Sequence, residues 1–284
     1  MHLTKAEWTE RAGKPDFQDE LALALRTDGY FLLEEVFDRD RIKGMRDDFA
    51  QLLDAHRAKS SDNRGKNRYN IQLPVRPPFV APDIQTNEIV FPLVKRLLGE
   101  DVAVSFMAAD TPLEGSDYQV AHSDGVALFP GLDAALPVFN IVMNIMLVDF
   151  TPENGPLEIF PHGTHHLVWS DAAAGSQLRE AEQVLAPAGS LVVRDARMWH
   201  RGTPNRTSDM RPMMAVAYSR SWYRFGEAEV GMMPLKVDQE QYESWNEDLQ
   251  RLFRFAQVEN DANAPVVLGT MQHRIALLVG AEQA

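Results

Sequence analysis

The chain has 284 residues, 45% of them hydrophobic and 24% charged, and a formal net charge of −13. That balance supplies ample apolar material for a core and argues against polyanionic partners, so neither nucleic acid nor an anionic membrane is expected. No cysteine is present, which excludes disulfides, thiol nucleophiles and cysteine-held clusters; a metal would have to be held by His, Asp or Glu.

The opening residues, MHLTKAEWTERAGKPD, contain no apolar run of the kind a secretory signal requires. DFQDELALALRTDGY predicts a helix capped by Asp16, with Phe17, Leu21 and Leu25 on one face and Gly29 at its stop. YFLLEEV is short and extended. In DRDRIKGMRDDFAQLLDAHRAK the set Ile42, Met45, Phe49, Leu52 and Leu53 recurs at helical spacing. Ser60–Asn70, SSDNRGKNRYN, reads as a polar loop, and PVRPPFVAP as extended chain. NEIVFPLVKRLLG predicts a further helix ending at Gly99.

After Gly99 the pattern changes to short apolar runs rich in Val, Ile, Phe, Met and Tyr, bounded by Gly, Pro, Asn or Asp. Candidate strands are DVAVSFMAA, YQVAHSDGV, VFNIVMNIMLVDF, GPLEIFP, HHLVWS, GSLVVRDARMWH and MMAVAYSRSW, with a helical insert at AAAGSQLREAEQVL. That many strands in about 120 residues suffices for a sandwich or barrel. The longest apolar run, Val138 to Phe150, is interrupted by Asn140 and Asn144 and is shorter than the roughly 20 residues of a membrane helix. A cytoplasmic protein, monomer or homodimer, is expected. QYESWNEDLQRLFRFAQ returns to helical spacing. The expected organisation is one domain over residues 1–284: a mainly helical part (1–100) packed on a β core (101–225), then a helical extension (226–284).

Chemistry concentrates in three places. In QVAHSDGV, His122 and Asp124 are two apart, so in a strand both would face one side. In RDARMWHRGTPN, His200 follows an aromatic residue just beyond an apolar run. Arg211 opens the next candidate strand, eleven residues on. Taken singly, these residues read as a polar strand end, a satisfied core histidine and a solvated arginine. Together, two histidines and a carboxylate make the facial triad of non-haem Fe(II) oxygenases, which leaves coordination positions open. An arginine on a neighbouring strand adds a fork that grips a carboxylate in two places.

This order and spacing resembles the Fe(II)/2-oxoglutarate-dependent dioxygenases, in the version of the phytanoyl-CoA dioxygenase family. Gln119, three residues before His122, is similar to that family's Gln before its first ligand. In ENGPLEIFPHGTHH, residues Asn154, Gly155, Leu157 and Pro161 match the family's N-G-x-L-x-x-x-P-G-S-H segment, and Gly163, Thr164 and His165 match after one extra residue, His162. Trp199, His200 and Asn205 match its W-H-x-x-x-x-N segment.

The resemblance implies a mostly β fold with flanking helices, a double-stranded β-helix (cupin-like jelly roll) with the metal at one mouth. It implies His122, Asp124 and His200 as Fe(II) ligands, Arg211 as the clamp on 2-oxoglutarate, and O2 as the second cosubstrate. Gln119 and Asn144 are candidate cosubstrate contacts. Family members often carry a hydroxyl two residues after the distal histidine; this chain has Gly202 there, with Thr203 beside it as a substitute. Halogenating relatives replace the carboxylate that this chain keeps as Asp124, so hydroxylation of a small metabolite is the leading expectation, with desaturation, ring closure or epimerisation open at the same centre. Tyr69, Asn70, Gln72, Trp222, Tyr223 and Phe225, in segments flanking the core, are candidate substrate contacts. Histidines 162, 165 and 166 read as a turn rather than a metal cluster. Two rivals use fewer of these residues: a cupin-like isomerase or dioxygenase that does not use 2-oxoglutarate, and a non-catalytic jelly-roll binding protein.

Overall fold

The computed structural model describes residues 1–125, 128–129, 134–167, 181–223 and 234–260. The chain enters through strand β1 (His2–Leu3), helices α1 (Lys5–Arg11) and α2 (Phe17–Thr27), and strand β2 (Tyr30–Leu33). Helix α3 (Arg39–Arg57), strand β3 (Arg68–Gln72) and helices α4 (Pro82–Gln85) and α5 (Val90–Leu98) complete the first hundred residues. Then come β4 (Ala103–Pro112), β5 (Asn140–Met146), β6 (Leu157–Ile159), β7 (Glu182–Gln183), β8 (Leu191–Asp195), β9 (His200–Gly202) and β10 (Met213–Ser219). The last described part holds β11 (Lys236–Asp238), α6 (Gln239–Glu243), α7 (Glu247–Leu252) and β12 (Gln257–Glu259).

Seven strands form the larger sheet, in the order β1-β2-β8-β5-β10-β4-β3, and β7-β6-β9 form a smaller one. This is a double-stranded β-helix flanked by helices. Side chains alternate across each strand, so the larger sheet has two unlike faces. Ile141, Met143 and Ile145 of β5, with Met214, Val216 and Tyr218 of β10, join one large apolar cluster with Leu21, Leu25, Ile42, Phe49 and Leu93 of the helices. The opposite face carries Val142, Ala196 and Ala217, a small cluster with Phe106 and Ala215 packed against it. Small side chains on that inner face leave space, and the space is the chamber described below.

The helices form for the reasons their sequences suggest. Asp38 caps α3 by accepting from the backbone N–H of Asp40 and Arg41, and Ile42, Met45, Phe49 and Leu53 are its buried stripe. Asp16 precedes α2 but makes no side-chain cap bond; Asp19 and Glu20 in the first turn complement the helix dipole instead.

Five local expectations need correction. The run around His122 is not a strand: Asp124 N and Gly125 N both donate to the Ala196 carbonyl at 3.0 Å, which turns the chain over the β8–β9 corner. Among the described residues its one β-bridge is His122 with His200, and Gln119 N donates to the Gly202 carbonyl at 2.9 Å. In HHLVWS, residues Thr164–His166 form a single 3-10 turn, at whose start the Thr164 hydroxyl donates to the Phe160 carbonyl; residues 168–170 lie outside the described residues. Most of the expected insert helix lies outside them too, and its end, Glu182–Gln183, is β7, paired with β6. The polar loop ends early because Arg68 already begins β3, and the C-terminal helix is two, broken where Asn246 caps the second by accepting from Leu249 N.

Candidate active site

His122 and His200 are backbone partners: each N–H donates to the other's carbonyl at 2.9 Å. That bridge brings the imidazoles together, with ring centroids 4.5 Å apart. Each ring is oriented from behind. His122 Nδ1 donates to the Val120 carbonyl at 2.8 Å and His200 Nδ1 to the Met198 carbonyl at 3.0 Å. Both rings therefore keep a lone pair on Nε2, the arrangement that metal-ligating histidines require. Asp124 completes the group, with Oδ1 3.8 Å from His122 Nε2 and Oδ2 3.5 Å from His200 Nε2. The three ligand atoms lie within 4.8 Å of one another. Gly125 follows without a side chain because a Cβ there would sit 2.5 Å from Arg197 Cγ, and Arg197 braces the corner by clamping Asp195 in two places.

Burial pushes both imidazoles below their ordinary value, His200 to about 3, so both are neutral at physiological pH. Burial opposes ionisation of Asp124 as well, but the two imidazoles and Arg194 outweigh it and hold the carboxyl well below its usual range. Two neutral nitrogen donors and one carboxylate, with an open side, fit a non-haem iron ion.

The triad borders a cavity that opens to solvent. Registers across β5, β10 and β4 arrange its wall in levels. Val142 and Phe106 flank Ala217; below them Asn144 lies beside Ala215, and Asp110 beside Met213. Beneath these is Arg211, 1% exposed, stacked 4.6 Å from the Phe150 ring. Its guanidinium makes no hydrogen bond among the described residues, and its Nε and Nη1 are buried without a partner. Burial pushes it down to about 9, so it remains a cation at neutral pH. A buried cation without a hydrogen-bond acceptor is costly, and the cost is removed when an anion enters.

Arg68 stands beside it. This residue, 1% exposed, donates through Nη2 to the carbonyls of Thr203 and Asp117, while Nη1 is buried without a hydrogen bond, 3.6 Å from Asp110 Oδ2. A Cβ on Gly202 would meet Arg68 Nη1 at 2.3 Å. The space beside Gly202 is thus filled by a guanidinium that reaches in from β3. Nothing in the spacing of histidines revealed Arg68. The signal was Gly202 itself, an empty position two residues past His200.

Gln119, Asn70 and Asn144 line the cavity. Gln119 Oε1 accepts from Gly202 N at 2.8 Å. Other candidates lie elsewhere. Thr203 donates its hydroxyl to the Pro156 carbonyl at 2.7 Å and does not border the cavity. Tyr69 is on the outer face of β3, edge-on to His56 and beneath the Arg57 guanidinium. Gln72 donates to the Pro234 carbonyl at 3.3 Å, also off the cavity wall. Tyr223 packs 4.6 Å from Phe139, Trp222 is 60% exposed, and neither borders the cavity. Phe225 lies outside the described residues. Among those described, His162, His165 and His166 form no metal-binding group; His165 and His166 both engage the Arg26 carbonyl, so they tie this turn to the end of α2.

Fold and site together define a class: a double-stranded β-helix protein carrying a His-x-Asp…His triad fit for a metal ion above a buried arginine. The chain belongs to the phytanoyl-CoA dioxygenase (PhyH) family, whose model matches residues 25–213. It is 29% identical over 140 residues to dioxygenase af480 of Aspergillus fumigatus, an alignment spanning 48% of this chain and 43% of that relative. Among solved structures it resembles SnoN of nogalamycin biosynthesis, an epimerase determined with Fe3+, alpha ketoglutarate and nogalamycin RO (TM-score 0.60, 20% identity, 78% of this chain and 91% of that one). It also resembles EctD from S. alaskensis, determined with 2-oxoglutarate and 5-hydroxyectoine (TM-score 0.54, 19% identity, 70% of this chain and 75% of that one).

Proposed function

We propose that the chain is an Fe(II)- and 2-oxoglutarate-dependent oxygenase that hydroxylates an unactivated C–H bond of a small metabolite. The observation that carries this reading is Arg211: a buried guanidinium with no hydrogen bond among the described residues, on the wall of the cavity that also bears the metal triad. His122, Asp124 and His200 would hold the iron through Nε2, a carboxylate oxygen and Nε2. Iron with 2-oxoglutarate and O2 supplies the oxidising power, at the expense of 2-oxoglutarate, which leaves as succinate and CO2. The protein's own work is placement. Arg211 and Arg68 present nitrogens without hydrogen-bond partners to the distal carboxylate, and Asp110 between them leaves that end with one net positive charge. Gln119 and Asn144 flank the path from there to the triad. Phe106, Val142, Ala196 and Ala217 form an apolar wall that excludes water and suits an apolar part of the substrate. The overall charge of −13 therefore says little about this chamber, whose lining includes Arg64, Arg194 and Arg211 against Asp110 and Asp124.

The SnoN likeness makes inversion of a stereocentre the second reading at the same centre, and the product decides: hydroxylation adds one oxygen atom to the substrate, epimerisation none. A metal-only cupin would leave Arg211 without a task. The test is an anaerobic titration of the Fe(II)-loaded protein with 2-oxoglutarate, following the visible charge-transfer band of a chelated 2-oxo acid. A band in the wild type that is lost in Arg211→Ala supports the reading. Iron binding with no band in the wild type overturns it.

A further inference from the structure

Arg194 attracts no notice in the sequence, where it sits inside the run LVVRD. In the structure it links the triad to the cavity wall. β8 places it opposite Val142 of β5, on the chamber face, with its side chain 5% exposed. Its Nη2 donates to Asp124 Oδ2 at 2.5 Å and its Nε to Asn144 Oδ1 at 3.1 Å, while Nη1 is buried with no partner. One guanidinium edge thus holds a metal-site carboxylate and a cavity-lining amide at once.

Two consequences follow from donor and acceptor chemistry. A guanidinium only donates. The oxygen of Asn144 must therefore face Arg194, since a flipped amide would set NH2 against N–H. Its Nδ2 is then available to the cavity, and it makes no hydrogen bond among the described residues. Asp124, for its part, has Oδ2 held by Arg194 and no hydrogen bond on Oδ1, so its two oxygens are no longer equivalent to an incoming ion.

Resting on the oxygenase reading above, we infer that Arg194 is a positioning residue for the cosubstrate: it pins Asp124 by one oxygen and fixes the Asn144 amide as a donor to the oxygen-rich end of a 2-oxo acid. Neither its charge alone nor its bulk accounts for both contacts. The fork geometry does, because a lysine ammonium is a point donor without a rigid second arm.

The experiment is a mutant cycle read by 2-oxoglutarate binding rather than turnover. Wild type, Arg194→Met, Asn144→Ala and the double variant are loaded with Fe(II) anaerobically and titrated, and the charge-transfer band gives each dissociation constant. Far-UV circular dichroism and the visible spectrum of the Co(II)-loaded proteins establish folding and metal occupancy beforehand. Each single change is expected to weaken 2-oxoglutarate by about tenfold, the worth of one charge-assisted hydrogen bond. The double variant is expected to be no weaker than the worse single, because both changes break one chain of contacts. Arg194→Lys guards against a misfolded Met variant: it is expected to bind Co(II) and still show the tenfold loss. The inference is overturned if Arg194→Met titrates like wild type, if the two losses multiply to about a hundredfold, or if Arg194→Lys restores full affinity. Absence of the band in wild type would instead sink the oxygenase reading, so the two failures are distinct.

Discussion

The two faces of the larger sheet are built from the same strands, one residue out of step, yet they answer to different demands. Ile141, Met143 and Ile145 face the helices and sit in a continuous apolar cluster; Asn140, Val142 and Asn144, between them, face the chamber. On β3 the same alternation puts Tyr69 under Arg57 and Asn70 on the cavity wall. The outer face is mostly apolar and packs against the helices. The inner face carries Arg211, Arg68 and Arg194, each with a buried nitrogen lacking a hydrogen bond. Polar groups are left unsatisfied inside a protein when something else completes them. Change on the outer face should therefore cost stability and spare the chemistry, and change on the inner face should do the reverse.

Breaking the triad tests the inner face most severely. His200→Ala removes a neutral nitrogen donor; iron binding and turnover are expected to fall by at least about a thousandfold, with the circular dichroism spectrum unchanged. Full activity in that variant would end the site assignment. Arg211→Ala comes next. It removes a two-armed cation from a site with little water, so 2-oxoglutarate is expected to bind about a hundredfold more weakly while Fe(II) affinity holds. On the outer face, Ile145→Ala opens a cavity against the helices. Its expected cost is about 3 kcal/mol of folding stability in urea unfolding, with the 2-oxoglutarate constant of the folded protein within twofold of wild type. A large binding defect in Ile145→Ala would mean that the two faces are not independent.

How much of this the sequence disclosed follows from the same alternation. The triad and Arg211 were legible because metal chemistry demands particular residue types in a particular order, and spacing survives translation into three dimensions. The strand assignment of β5 and β10 was legible from apolar runs bounded by turn residues. What the sequence hid was direction. Tyr69 and Asn70 are adjacent, and nothing in RYNIQ says which of them faces inward until β3 is registered against β4, where Asn70 pairs with Asp110. Arg194 and Arg68 were hidden for a related reason. Arg194 looks like an ordinary strand arginine and Arg68 like a loop residue, and their contacts are with partners 70 and 135 positions away, Asp124 and Thr203. Thr203 misled in the opposite sense: it is next to the right position in sequence, but its hydroxyl is spent on the Pro156 carbonyl.

Gly202→Ser sharpens the comparison most, although its effect is smaller. By resemblance alone, a hydroxyl two residues after the distal histidine belongs there, and restoring one should strengthen the hold on 2-oxoglutarate. The structure argues for the opposite sign. A Cβ at Gly202 would lie 2.3 Å from Arg68 Nη1, 2.7 Å from Arg68 Cζ and 2.8 Å from Gln119 Oε1, so neither side chain could stay where it is. Arg68 is also tied by Nη2 to two backbone carbonyls, which limits how far it can withdraw. The serine would thus gain one neutral hydrogen bond and displace a charged one, and charged hydrogen bonds are roughly twice as strong. The expected result is a loss of about tenfold in 2-oxoglutarate affinity, measured by the same band titration. Pairing it with Arg68→Ala, which clears the space, should then recover part of that loss, since the serine would occupy a position no longer contested. Tighter binding in Gly202→Ser alone would show that Arg68 is filler on the inner face rather than a hand on the cosubstrate.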